Sequence, residues 1–327
     1  MEISGGKGKE LIFGVIILVV IIAGFLVLDS GKSGMTFNTE NNTVVENTSV
    51  TTTESSNLAG RVSHNLVLGT VTKESVDTLL VYRTLPPEIN KELTLDYAEI
   101  FNVTGTLKGE RTVQSEDLRY YVTFTQNSGS VRYNDAKRPN VKQDAPEYLP
   151  SDEEAIEIAT KFLKENGLYP DGAANPSVQR ENAYTVGKGD EVYYSEIGVW
   201  YRRYLNGLEV KGTQLDVGVG GNGDIIEYFA NWRDYEPYKE YPVIAVNEAF
   251  EDLKSQGVYV GTNSQDSEVV IDEAYLAYLT TAGAYTEDYL QPVWVFKGNV
   301  MSDDKAVMDV VQYVPALAEV PTELTST

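Results

Sequence analysis

Leu11 to Leu28 reads LIFGVIILVVIIAGFLVL, eighteen residues without a charge or a proline. As a helix this run would rise about 27 Å, close to the hydrocarbon thickness of a bilayer. A core helix of that length would carry a polar face, so the expectation is a transmembrane helix over 11–28 behind a short N-terminus, residues 1–10. Asp29-Ser30-Gly31-Lys32 follows without a small-residue cleavage pattern, which favours a retained anchor over a cleaved signal. A pilin-type leader cut near Gly8 is a third reading, disfavoured because the apolar helix stops near Leu28. Lys7 and Lys9 before the run place the N-terminus inside and the rest of the chain outside the cytoplasm. The expected localisation is the cell membrane, single-pass, with an extracytoplasmic C-terminal domain.

Residues 30–57 contain 17 Ser, Thr or Asn among 28. Such a stretch buries too little apolar area to offset its ordering entropy, so 29–57 reads as a flexible stalk. It carries sequons at Asn41 and Asn47, and Asn102-Val103-Thr104 supplies a third, making Asn41, Asn47 and Asn102 candidate glycosylation sites.

Composition narrows the chemistry. The chain has no cysteine and one histidine, which excludes disulfides, thiol nucleophiles, cysteine-ligated metals and any two-histidine metal site. Its formal charge of −23 repels phosphate backbones and argues against nucleic-acid binding. His64 beside Ser63 would point away from it in an extended segment, so the pair reads as surface rather than as nucleophile and base. With 49 acidic residues, carboxylate pairs occur by chance and none is singled out. The expectation is no enzyme, no cofactor and no metal.

The region after Leu58 reads as α+β. Ser151 and Glu154 form a capping box ahead of an apolar face at Ala155, Ile156, Ile158, Ala159, Phe162 and Leu163, and Asn166-Gly167 ends that helix. Tyr193 to Tyr204 is strand-like, Asn206-Gly207 is a tight-turn signal, and Leu208 to Val219 resumes as a strand. Gly220 to Asp224 joins it to Ile225–Trp232; no helix follows this glycine-rich turn, which excludes a phosphate loop. A second helix is expected at Val246 to Gly257, with strands at Glu268–Ala277, Leu290–Gly298 and Ala306–Pro315. Pro86 to Phe101 offers an earlier helix with strands behind it. The order, helix then antiparallel strands three times, predicts modules over 58–148, 149–241 and 242–318, with a flexible tail over 319–327.

Asp152-Glu153-Glu154-Ala155-Ile156, then Tyr201 to Val210 (YRRYLNGLEV), then Gly223-Asp224-Ile225-Ile226 resemble PepSY-type modules. They are similar in particular to the propeptide module of thermolysin- and fungalysin-type proteases and to the units of YycH/YycI-type extracytoplasmic regulators. The resemblance covers 151–232, and 246–315 more loosely. It implies modules that bind, inhibit or chaperone another protein and are not catalytic. A zinc protease would need an H-E-x-x-H helix, and His64 is the one histidine, so regulation of a protease would act in trans.

There are 22 tyrosines, and several cluster. Tyr194, Trp200 and Tyr204 share one parity along their strands, Tyr193 and Tyr201 the other. One set packs on the helix and the other is free to form an aromatic binding face. The expected partner is an envelope or membrane protein; the alternative is an acidic, glycosylated cell-surface protein that associates with itself.

Overall fold

A computed structural model of the chain describes residues 61–62, 65–69, 76–136, 149–181, 184–185, 192–260, 267–302 and 305–324. The expected membrane helix, the stalk with Asn41 and Asn47, and His64 lie outside the described residues.

Along the chain, β1 is Arg61–Val62, β2 Leu66–Leu68 and β3 Thr78–Thr84. Helix α1, Lys91–Ile100, precedes β4 Gly105–Lys108, β5 Thr112–Ser115, β6 Tyr120–Phe124 and β7 Val131–Asp135. Helix α2, Asp152–Glu165, precedes β8 Ala173–Glu181, β9 Tyr184–Thr185, β10 Val192–Tyr193, β11 Glu196–Leu205, β12 Leu208–Lys211, β13 Gln214–Gly220, β14 Ile225–Asn231 and β15 Tyr235–Pro242. Helix α3, Val246–Gln256, leads to β16 Val258–Tyr259, β17 Glu268–Leu279, β18 Tyr289–Ser302 and β19 Lys305–Pro315.

Local chemistry explains the helices. The Ser151 hydroxyl accepts from Glu154 N at 3.2 Å and the Glu154 carboxylate accepts from Ser151 N at 2.8 Å, closing the capping box of α2. Ala155, Ala159 and Leu163, at helical spacing, are fully buried beneath it. Asn90 caps α1 by accepting from Leu93 N at 2.9 Å. α3 begins without a side-chain cap and ends on Gly257, whose φ of 68° suits glycine.

The expected class, α+β built from repeated helix-plus-antiparallel-sheet modules, is overturned. Fifteen strands form one mixed sheet in the order β15-β3-β18-β17-β12-β11-β13-β14-β7-β6-β5-β4, with β19 beside β18, β2 beside β17 and β8 beside β11. Strand pairing crosses the predicted module limits: β7 joins β14 from Ala230↔Val131 to Glu227↔Asn134. Helices α1 and α2 share one core, where Phe101 stacks on Tyr133 at 4.4 Å and meets Phe162 at 5.5 Å. The physical reason is edge chemistry. A helix with a few strands leaves open sheet edges, and pairing edge to edge satisfies them. Strand β3 lies in no local sheet with its sequence neighbours; it pairs with β15 and β18.

The single-pass transmembrane reading is corrected too: no helix among the described residues is long and apolar enough to cross a membrane. The longest, α2, has 14 residues, about 21 Å, and an acidic first turn.

A second core gathers α3 with β17, β18 and β19 around Trp294, Phe296, Phe250 and Leu253. Trp294, 1% exposed, donates from Nε1 to Ile244 O at 3.0 Å, satisfying its one polar atom. The two sheet regions meet where β12 runs parallel to β17 over two residue pairs, Val210↔Tyr278 and Lys211↔Leu279. Gly212, at φ 82°, ends β12; a Cβ there would stand 2.6 Å from Thr280 O. The expected strand from Leu208 to Val219 is therefore two strands, bent apart so that one can leave for the neighbouring ladder.

Candidate functional site

The half-sheet β4-β5-β6-β7-β14-β13-β11-β8 is antiparallel and has two unlike faces. Ile197, Val199 and Tyr201 on β11, Leu215, Val217 and Val219 on β13, and Tyr228 and Ala230 on β14 point into the core beneath α1 and α2. The alternate pleat carries Trp200, Asp216, Gly198, Gly218, Glu227, Phe229, Arg132 and Tyr121, none of which belongs to an apolar core. One face covered by helices and one polar is the usual division of an antiparallel sheet.

The aromatic candidates separate accordingly. Tyr201 is 4% exposed, edge-on to Tyr169 at 5.7 Å, and its hydroxyl lies 2.7 Å from Thr160 Oγ1 on α2. Trp200 is half-buried on the other face, its Nε1 donating to Glu181 Oε1 at 2.8 Å. Tyr204 lies past a register shift between Trp200 and Arg202, and its hydroxyl accepts from Asn175 Nδ2 at 3.0 Å. Tyr194 is half-buried in the gap between β10 and β11, and Tyr193 is in β10 opposite Tyr184. These residues do not form one continuous patch. Asn102 is exposed at the end of α1.

Gly198 and Gly218 face each other across β11 and β13. A Cβ at Gly198 would stand 2.3 Å from Glu181 Oε1 and 2.9 Å from Trp200 Nε1; one at Gly218 would stand 3.1 Å from Glu196 Oε2 and 3.0 Å from Glu227 Cβ. The glycines form a shallow floor on which these groups lie. Their spacing, Gly198 and Gly218 amid alternating apolar residues, is the signal that could have located the floor.

Arg132, Glu227 and Asp216 on this face are each engaged. Arg132 lies 2.6 Å from Glu227 Oε1, with its guanidinium 4.5 Å above the Phe229 ring. Gln214 Nε2 donates to Asp216 Oδ1 at 2.9 Å. Burial pushes the Asp216 carboxyl up to about 8; Glu227 and Glu181 add to that rise, while Gln214 and Arg132 oppose it. Asp216 is therefore a proton carrier at neutral pH, able to donate a hydrogen bond. Among the described residues no three His, Asp or Glu side chains are grouped as metal ligands.

Beside this face lies a buried polar junction that no local motif announces. Arg233 donates to Tyr285 O at 2.7 Å, Thr281 Oγ1 and Ala282 O at 3.2 Å and Asn127 O at 3.4 Å. Arg203 donates to Arg233 O at 2.7 Å and stacks on Trp232 and Tyr235 at 4.9 and 4.7 Å. Burial lowers the Arg203 pKa and raises that of Tyr235. Three turns, distant in sequence, meet at these side chains.

No protein-family profile matches this chain, and no curated protein matches it. Solved structures do. The chain is similar to an uncharacterised protein from Eubacterium rectale, at 14% identity over 79% of this chain and 90% of that one, with a TM-score of 0.47. It is also similar to YycH from Bacillus subtilis, at 13% identity over 73% of this chain and 52% of that one, with a TM-score of 0.37. This chain thus matches about half the length of YycH. Both TM-scores fall below 0.5, too low for either likeness to carry a functional argument.

Proposed function

We propose that this chain is a non-catalytic, extracytoplasmic binding protein that regulates another protein by contact, through the sheet face around Trp200, opposite the one that packs on α1 and α2. One observation carries the reading: that face bears half-buried Trp200 on β11, Phe229 on β14, Arg132 on β7 and Tyr121 on β6, with Phe229 and Arg132 directly paired. Aromatic residues and arginine are the side chains that dominate protein–protein contact energies, and here they stand on rigid strands. The ion pair with Glu227 and the bond to Glu181 hold two of them in place before any partner arrives. Carboxylates tied to Trp200 and Arg132 serve as fixed hydrogen-bonding groups. The Ser/Thr/Asn-rich stretch 30–57 and its sequons support the extracytoplasmic setting.

Photo-crosslinking of the full chain in cells tests this. A crosslinker at Gln179, exposed on this face, should capture one defined protein, and Trp200→Ala should abolish the capture. A crosslinker at Glu157, on α2, is the control. Equal capture from both positions, or capture of only a second copy, would overturn the assignment.

A further inference from the structure

We propose that Asn102 is an N-glycosylation site, taking a saccharide from a lipid-(pyro)phosphate-linked donor; this rests on the extracytoplasmic reading above. The sequon Asn102-Val103-Thr104 sits where α1 gives way to β4. Val103 is 6% exposed and packs in the core, whereas Asn102 and Thr104 on either side of it are both exposed. The acceptor amide and the hydroxyl two residues on therefore stand on the outward side of one turn. Asn102 has φ 54°, in the left-handed region, and its backbone N donates to Glu99 O at 3.0 Å, so the turn is held by the main chain and leaves the side-chain amide to solvent. Asparagine is tolerated at such a φ for conformational reasons alone, yet those reasons place no demand on residue 104. The exposed hydroxyl at that position turns a helix terminus into an acceptor. In the step, the Asn102 Nδ2 attacks the anomeric carbon of the donor sugar. The C–O bond to the lipid-linked (pyro)phosphate breaks, the phosphate oxygen leaves with the electron pair, and the amide nitrogen gives up one proton.

The test is mass spectrometry of the tryptic peptides containing Asn102 from full-length protein made in its own cells, after labelling intact cells with a membrane-impermeant amine reagent; a labelled Lys91 blocks cleavage there, so the labelled form begins at Thr84 and carries both marks on one peptide. The expected result is a labelled Lys91 and a peptide heavier by a saccharide. Thr104→Ser should keep the added mass. Thr104→Ala should lose it, as should Asn102→Gly, which preserves the left-handed turn. A labelled Lys91 with an unmodified wild-type peptide would overturn the proposal and leave the extracytoplasmic reading standing. An unlabelled Lys91 with an unmodified peptide would overturn both.

Discussion

Arg233 Nε lies 3.9 Å from Glu287 Oε1, with the two side chains 2% and 3% exposed. Glu287 also accepts from Thr281 N at 2.6 Å, from the Tyr235 hydroxyl at 2.8 Å and from Thr280 and Thr84 hydroxyls at 3.2 and 3.3 Å. Removing its charge leaves a buried guanidinium without its counter-ion. Glu287→Gln should therefore cost about 3–5 kcal/mol in urea unfolding. The Arg83–Glu236 pair, about half exposed on both sides, is the comparison: Arg83→Ala should cost less than about 1 kcal/mol. Equal costs would contradict the greater weight of the buried pair.

Asp216 predicts a pH dependence. Its native carboxyl titrates at about 8, against an unfolded value of about 3.9, so between these limits the native state binds a proton that the unfolded state has released. Its contribution is complete below pH 4 and is lost as pH rises through 8. Asp216→Asn mimics the protonated form and should lose less stability than wild type between pH 5 and pH 8.5. Parallel unfolding midpoints for the two proteins across that range would contradict this.

The glycine floor should be sensitive to one methyl group. Gly198→Ala places a carbon where Glu181 Oε1 now lies, so the carboxylate must swing away from Trp200. The expected result is a change in Trp200 emission, isolated by comparison with Trp200→Phe, and weaker capture of the partner. Far-ultraviolet circular dichroism should stay as it is, because the groups that must give way, the Glu181 carboxylate and the Trp200 indole, are side chains and the backbone is not among them.

The capping box gives a local prediction. Ser151→Ala should cost about 1 kcal/mol and lower Tm by about 2–4 °C, while Ser151→Asp, which can accept the same bond, should restore most of it. A calorimetric scan of the three proteins decides it.

Helices were legible in the sequence because each is written within a few residues of itself: Ser151 with Glu154, and Ala155, Ala159 and Leu163 at helical spacing. The turn at Asn206-Gly207 was legible for the same reason, with φ 48° and 81° at the two residues that demand it. Pairing between strands was not. A strand's alternation shows which residues face the core and says nothing of which neighbour it meets, so β7 beside β14 could not be read. Gly212 looked like one more small residue inside a strand; its meaning lies in Thr280, far along the chain. The aromatic cluster was half legible: parity separated Trp200 from Tyr201, while the extra residue that β8 carries opposite Trp200–Arg202, and the bond from Asn175 to Tyr204 beside it, left no mark in the sequence of β11. Arg203, Arg233 and Glu287 carry no motif, and only the meeting of three turns makes them a unit.

Strand β3 has a consequence for how the chain is made. Bonds from Thr78, Leu80, Arg83 and Thr84 reach partners 153 to 203 residues further on. At ribosomal speeds of about 5–20 residues per second, that interval is roughly 8–40 s. Through it Leu79, Leu80 and Val81 wait without their sheet neighbours while the half-sheet from β4 to β14 is able to close. A nascent chain stopped anywhere before β15 would present that apolar strand to the first chaperone or protease it meets.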